Sequence, residues 1–290
     1  MNDYIVIHKL GRYGMIHKKI DLTEDGRVYM NTYFLDYYPD KYYKNGKWQP
    51  DKRPVFLVLP GGGYGFQSDR EAEPIALAFT AAGIHAAVLY YSVGEFAVMD
   101  NLLADASKAI WYLRKHAGEF HIDPDAIIVG GFSAGGSLAS VIGTQWNKPG
   151  LAESLAIPFR GNRPDGLMLA YAPTLMSADT VQDDPGDEPR GKIFDEMDDG
   201  LNTASKVTAE TPPAFIWQTS HDTLIKPMNA LLYTQACLEH GVECELHIFQ
   251  EGPHGTALGN DVTDYKAQKY TNVELWVPMF INWIRKNYNY

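Results

Sequence analysis

From Pro54 onward, short apolar runs alternate with longer amphipathic stretches. The runs are "VFLVLP" (55–60), "IHAAVLYY" (84–91), Ile127-Ile128-Val129, "GLMLAYAP" (166–173), "AFIWQTS" (214–220) and "CELHIFQ" (244–250). Each is too short for a helix, and the first three are rich in β-branched and large apolar residues, as expected of strands buried on both faces. Between them, Glu71–Ala82, Asn101–His116, the stretch after Ser133, Met228–His240 and Val277–Lys286 carry helical spacing. Leu102, Leu103, Ala106, Ala109, Ile110 and Leu113 share one face of the second of these. Alternating strands and helices predict an α/β fold: a mostly parallel central sheet covered by helices on both faces.

Two segments depart from this rhythm. Met15–Leu22 and Arg27–Tyr37 flank the turn Glu24-Asp25-Gly26, which predicts an N-terminal antiparallel hairpin. Residues 174–210 are rich in acids (Asp179, Asp183, Asp184, Asp187, Glu188, Asp195, Glu196, Asp198 and Asp199) and in glycine and proline. A connection this long is expected to be an insertion over the C-terminal edge of the sheet, shaping access to a site or a homo-oligomer interface. No linker, repeat or low-complexity tract divides the chain, so residues 1–290 are expected to form a single domain.

Composition narrows the partners. A net charge of −11 argues against nucleic acid and anionic membrane. The N-terminus lacks a basic and an apolar signal region, and no apolar run reaches transmembrane length. The two cysteines, Cys237 and Cys244, fit a reducing compartment and have no zinc-like spacing. Cytoplasmic localisation is the expectation.

The chemistry centres on "IIVGGFSAGGSLASVIG" (127–143), where a strand runs into a helix through Gly131-Phe132-Ser133-Ala134-Gly135. This fits the G-x-S-x-G nucleophile elbow in its strand–turn–helix setting. Tight turning crowds the neighbours of Ser133, and glycines at 131 and 135 relieve it. A serine hydroxyl needs a base, and the base needs an orienting acid. Asp222 follows "AFIWQTS" and His254 follows "CELHIFQ", each at the strand end where an open α/β sheet places its chemistry. Ser133, Asp222 and His254 are therefore the expected catalytic residues. His221, His247 and Ser137 are weaker rivals. Gly61-Gly62-Gly63 leaves the first buried parallel strand, so Gly62 and Gly63, with Ala134, are the expected oxyanion donors. No phosphate- or dinucleotide-binding pattern accompanies these glycines. Tyr64 and Tyr91 are the candidate substrate contacts. This chemistry calls for no metal and no cofactor.

The chain from about Arg53 onward resembles the α/β-hydrolase superfamily. It is most similar to bacterial acetyl xylan and carbohydrate acetyl esterases, related to the hormone-sensitive-lipase group. The resemblance rests on "LPGGGYGFQSDREAEPIALAF", "LYYSVG", "GGFSAGGSLA", "TPPAFIWQTSHDTLIKPMNALLY" and "LHIFQEGPHGTAL". Lipase-like relatives carry His where this chain has Pro60, a difference common in the sugar-esterase branch. The resemblance implies the α/β-hydrolase fold and a serine carboxylesterase acting on a small-molecule acyl ester, such as an acetylated sugar. A serine peptidase of prolyl-oligopeptidase type would need a large gating domain for which the chain has no room. A non-catalytic binding protein on the same fold would have no use for an intact Ser-His-Asp set.

Overall fold

A computed structural model of the chain describes residues 6–7, 14–36, 43–44, 47–48, 52–177, 181, 191, 193, 199–264 and 270–290. Its strands are β1 (Val6–Ile7), β2 (Met15–His17), β3 (Lys19–Asp21), β4 (Tyr29–Leu35), β5 (Tyr43–Lys44), β6 (Lys47–Trp48), β7 (Arg53–Leu59), β8 (His85–Tyr90), β9 (Ile122–Phe132), β10 (Gly166–Ala170), β11 (Ala214–Thr219) and β12 (Cys244–Phe249). The longer helices are α1 (Glu73–Ala81), α2 (Met99–Lys115), α3 (Ala134–Gln145), α4 (Met228–Glu239) and α5 (Trp276–Tyr288).

The main sheet runs β1-β2-β4-β8-β7-β9-β10-β11-β12, with β3 also paired to β4. From β8 to β12 every pairing is parallel. At the other end, β2 and β3 pair antiparallel with β4, and β4 with β8. This is the expected N-terminal hairpin, divided at Lys18, whose N–H donates to Thr32 Oγ1 at 3.0 Å. Tyr37, the expected end of that hairpin, lies outside the described residues, as do residues 178–180, 182–190, 192 and 194–198 of the acid-rich segment.

The alternation of side chains along the central strands explains the three-layer packing. Val55, Leu57 and Leu59 enter one core, shared with Leu102, Leu103, Ala106, Ile110, Leu138 and Ile142 of α2 and α3. Phe56 and Val58 enter the other, shared with Ile75 and Phe79 of α1 and Trp276 and Phe280 of α5. Ile127 and Val129 divide from Ile128 in the same way. The sheet is therefore sandwiched between helices, and the loops that follow the C-terminal ends of β7, β9, β11 and β12 carry the candidate site residues.

Two expected elements are drawn differently. Strand β9 starts five residues before Ile127, and its pairing to β7 shifts register between Arg53 and Val55. Asp123-Pro124-Asp125, ahead of the expected run, lies within the strand. The expected helix Glu71–Ala82 is split. Asp69–Glu71 forms a 3₁₀ turn, Ala72 leaves helical geometry at φ −109° and ψ −106°, and α1 begins at Glu73 with Pro74 in its first turn. Proline is suited to a helix start, where its missing N–H costs nothing. The break turns Glu71 inward, where it is 3% exposed.

His85 is buried in β8, and its Nδ1 accepts the Leu35 N–H at 3.1 Å. Burial, with Arg53 nearby, holds its pKa down to about 3. Above pH 6.5 the imidazole is neutral in both folded and unfolded chains. As pH falls from there toward 3, only the unfolded chain takes up the proton, so stability drops. Acidifying from pH 7 to 4.5 should cost the wild type about 2–3 kcal/mol through this group alone. His85→Asn keeps an acceptor for Leu35 and removes the titration. Urea unfolding at the two pH values should show the smaller loss in the variant, whereas equal losses would refute this account of His85.

Candidate active site

Ser133 stands between the end of β9 and the start of α3 with φ +51° and ψ −121°. Such a conformation costs a non-glycine residue about 1–3 kcal/mol and persists only where its surroundings impose it. Here the Ser133 N–H is held by Ala170 O at 3.0 Å, and Ser133 O accepts the Ser137 N–H at 2.9 Å. The neighbouring glycines have a direct steric reason. A Cβ on Gly135 would strike the carbonyl groups of Leu59 and Pro60, and one on Gly131 would strike the carbonyl of Gly135. The helix start thus packs on bare backbone, and the serine side chain is left half-buried at the sheet's edge.

Three chain segments meet there. His254 Nε2 lies 2.8 Å from Ser133 Oγ. His254 Nδ1 lies 2.7 Å from Asp222 Oδ2. Asp222 sits just beyond β11 with its side chain fully buried, while the His254 side chain is 19% exposed. The other carboxylate oxygen, Asp222 Oδ1, accepts the N–H groups of Leu224 at 3.0 Å and Ile225 at 2.9 Å. An ionised carboxylate only accepts, so the proton shared with it resides on Nδ1. That leaves Nε2 as the acceptor facing the serine hydroxyl. The rivals lie elsewhere. His221 is exposed, Ser137 is buried in α3, and His247 pairs with Glu245 at 2.8 Å.

The glycine loop lies against this row. Gly62, Gly63 and Tyr64 take φ of +125°, +57° and +60° in succession. A Cβ on Gly62 would collide with the carbonyl of Phe66, so glycine is required there both for conformation and for space. The loop's carbonyls are engaged: Gly62 O accepts from Gly65 at 2.9 Å, Gly63 O from Gly191 at 2.8 Å and Tyr64 O from Gly94 at 2.7 Å. Among the described residues, the N–H groups of Gly62, Gly63 and Ala134 donate to no acceptor. The loop therefore presents donors and withholds acceptors.

Tyr64 and Tyr91 do not occupy the positions expected of substrate contacts. They are 0% and 1% exposed, and their rings pack edge to face 6.1 Å apart. The Tyr91 hydroxyl donates to Pro60 O at 2.6 Å. Both tyrosines brace the glycine loop from beneath, because the positive φ of Tyr64 turns its side chain into the core. Phe132 is likewise buried, against Tyr171 and Trp276.

Of the acid-rich segment, two anchors flank the site. Gly191 fastens to Gly63 as above, and Val181 forms an antiparallel bridge to Ile225 beside Asp222. Among the described residues no group of three or more His, Cys, Asp and Glu is placed to hold a metal ion, and no helix is long and apolar enough to cross a membrane.

Two residues of the neighbourhood have no sequence signal. Glu71 lies in a run that reads as helix, and Tyr171 in a run that reads as strand. Their hydroxyl–carboxylate hydrogen bond, 2.6 Å long, joins positions 100 residues apart.

The fold and this site can be set beside known proteins. MGS-M1, an alpha/beta hydrolase enzyme from a Medee basin deep-sea metagenome library, superposes with a TM-score of 0.74. It is 32% identical, and the match covers 94% of this chain and 98% of that one. This chain belongs to the α/β-hydrolase superfamily. The BD-FAE family model matches residues 40–168 of this chain, which include the glycine loop and the elbow. The chain is 31% identical to endo-1,4-beta-xylanase B of Butyrivibrio fibrisolvens over 223 residues, 72% of this chain and 33% of that protein. It is 27% identical to the acetylxylan esterase of Xylanibacter ruminicola over 251 residues, 83% of this chain and 46% of that protein. This chain thus spans between a third and a half of the length of four of the curated relatives it matches, and 7% of a fifth.

Proposed function

We propose that this hydrolase is a serine carboxylesterase that removes short acyl groups, acetyl foremost, from esters of carbohydrates or small alcohols. The observation that carries the reading is the row Ser133–His254–Asp222, at 2.8 and 2.7 Å, beside three backbone N–H groups that have no acceptor among the described residues. Ser133 Oγ attacks the ester carbonyl and its proton passes to His254 Nε2. The oxyanion that develops on the former carbonyl oxygen is met by the N–H groups of Gly62, Gly63 and Ala134. Asp222 holds the imidazole ring and stabilises the imidazolium. The alcohol leaves as the carbonyl reforms, taking the proton from His254. Water, deprotonated by the same histidine, then releases the acid and restores Ser133.

The name of the Xylanibacter ruminicola relative, an acetylxylan esterase, supports the acetyl preference and the carbohydrate leaving group. The buried positions of Tyr64 and Phe132 remove them as walls of an acyl pocket, so the preference rests on the relatives.

A series of p-nitrophenyl esters from two to ten carbons tests the reading. Each methylene that fits an apolar pocket gains roughly 1 kcal/mol, and one that clashes forfeits at least that. The expected profile has its highest kcat/KM at acetyl and propionyl and falls at least about tenfold by octanoyl. An optimum at eight carbons or beyond would replace the acetyl reading with a lipase-like one, and no turnover of any ester would remove the esterase reading.

A further inference from the structure

The carboxylate of Glu71 is buried beneath the site, yet it touches none of the reacting atoms named above. Its two oxygens face in different directions. Oε2 accepts the Gly61 N–H at 2.9 Å. Oε1 accepts the Tyr171 O–H at 2.6 Å. The Tyr171 oxygen accepts in turn the Ala257 N–H at 3.1 Å, three residues after His254. Trp276 closes the far side by donating to Ala257 O at 2.9 Å. The Tyr171 ring also stands edge to face against the His254 ring, 5.0 Å between centroids.

The ends of this chain of bonds are the two loops that must be registered against Ser133. Gly61 is packed so closely that a Cβ there would lie 2.5 Å from Glu71 Oε2, 2.8 Å from Phe132 O and 3.1 Å from Ser133 Cβ. It is also the first residue of the glycine loop. Ala257, at φ +50°, lies in the loop that carries His254. Tyr171, at φ +37°, directly follows Ala170, whose carbonyl holds the Ser133 N–H. Arg70, beside Glu71, reaches the same histidine loop, donating to Thr263 O at 3.1 Å.

We propose that Glu71, acting through Tyr171, is a positioning residue that holds the glycine loop and the histidine loop in register about Ser133. The proposal rests on the serine-hydrolase reading of the site. A carboxylate suits the role because both of its neighbours are donors. An amide can accept from only one of them: with its carbonyl toward Gly61 its N–H₂ faces the Tyr171 oxygen, and the buried Tyr171 O–H must turn away from the acceptor it has in the wild type. A backbone shift of about 1 Å at a reacting centre can cost on the order of 100-fold in rate.

Glu71→Gln and Tyr171→Phe, singly and together, test it. Tyr171→Phe deletes one oxygen and so severs the bridge without altering Glu71. The first readout is the second-order rate of Ser133 labelling by a fluorophosphonate. In that reaction Ser133 Oγ bonds to phosphorus, its proton passes to His254 and fluoride leaves. The second readout is kcat and KM for p-nitrophenyl acetate, and thermal unfolding is followed in parallel. Each single variant should lose about 10- to 100-fold in labelling rate and in kcat, with KM within about threefold of wild type. The double variant should be no more than about threefold worse than the poorer single, because both changes cut one bridge. Labelling and kcat within twofold of wild type in Tyr171→Phe or in Glu71→Gln would overturn the proposal, whatever happens to the unfolding temperature. Losses that multiply in the double variant would also overturn it. A wild type that labels at Ser133 but hydrolyses no ester refutes the esterase reading while the labelling series still decides the role of Glu71. A wild type inert to the phosphonate at Ser133 overturns both.

Discussion

Ser133→Ala should lower kcat for p-nitrophenyl acetate on the order of 10⁴- to 10⁶-fold, the largest loss expected of any substitution in this chain. Among the described residues the Ser133 hydroxyl is the nucleophile in contact with His254 Nε2, so on the proposed mechanism its deletion removes the covalent route rather than slowing it. What remains is the stabilisation that the glycine loop and bound substrate give to direct attack by water. The fold should be indifferent. The backbone of residue 133 keeps its bonds to Ala170 and Ser137, and alanine meets the same conformational strain at φ +51° as serine does. An unfolding temperature close to wild type, with activity gone, is the expected pair of results. A variant that retained a tenth of wild-type kcat would place the nucleophile elsewhere.

Asp222→Asn should lower kcat about 10⁴-fold with a much smaller change in KM. The structure supplies a specific reason. The Leu224 and Ile225 N–H groups both donate to Asp222 Oδ1, so an asparagine here keeps its carbonyl oxygen toward them and turns its amide nitrogen toward His254. That nitrogen is a donor, and His254 Nδ1 must then accept. The imidazole proton moves to Nε2, where it faces Ser133 Oγ and blocks proton uptake. The side chain is fully buried, so no water replaces the lost carboxylate. Steady-state kinetics near neutral pH read the loss directly. Near-normal activity would mean that another acid orients the histidine, and exposed Glu251 in the same loop would be the first to replace.

The elements that frame the site were legible residue by residue. Glycines at 131 and 135 were expected from the crowding of a tight turn, and the structure shows the carbonyl groups that crowd them. The alternation of short apolar runs with amphipathic stretches such as Leu102 to Leu113 predicts a sheet covered on both faces, as found. Asp222 and His254 each follow an apolar run in the sequence, and the chain places both at strand ends within reach of Ser133. Misreadings arose where a side chain's direction depends on distant partners. Tyr64 and Tyr91 follow strands just as His254 does, but the left-handed turn at Tyr64 and the Pro60 carbonyl draw both rings under the loop. Glu71 reads as the first residue of a helix, and the break at Ala72 turns it inward.

By itself, the sequence determined what depends on near neighbours: the period of each strand and helix, the turns that demand glycine, the order of Ser133, Asp222 and His254, and the strand ends they occupy. These follow from sterics and hydrophobic periodicity over a few residues, which any window of the chain displays. The tertiary structure decided what depends on partners far along the chain. It set the distances within the Ser133–His254–Asp222 row, which glycine-loop N–H groups meet no acceptor among the described residues, and the link from Gly61 through Glu71 and Tyr171 to Ala257. The reason is physical. A hydrogen bond needs its two groups placed to within a few tenths of an ångström, and for residues 100 positions apart that placement is fixed only when the whole sheet and its helices have packed.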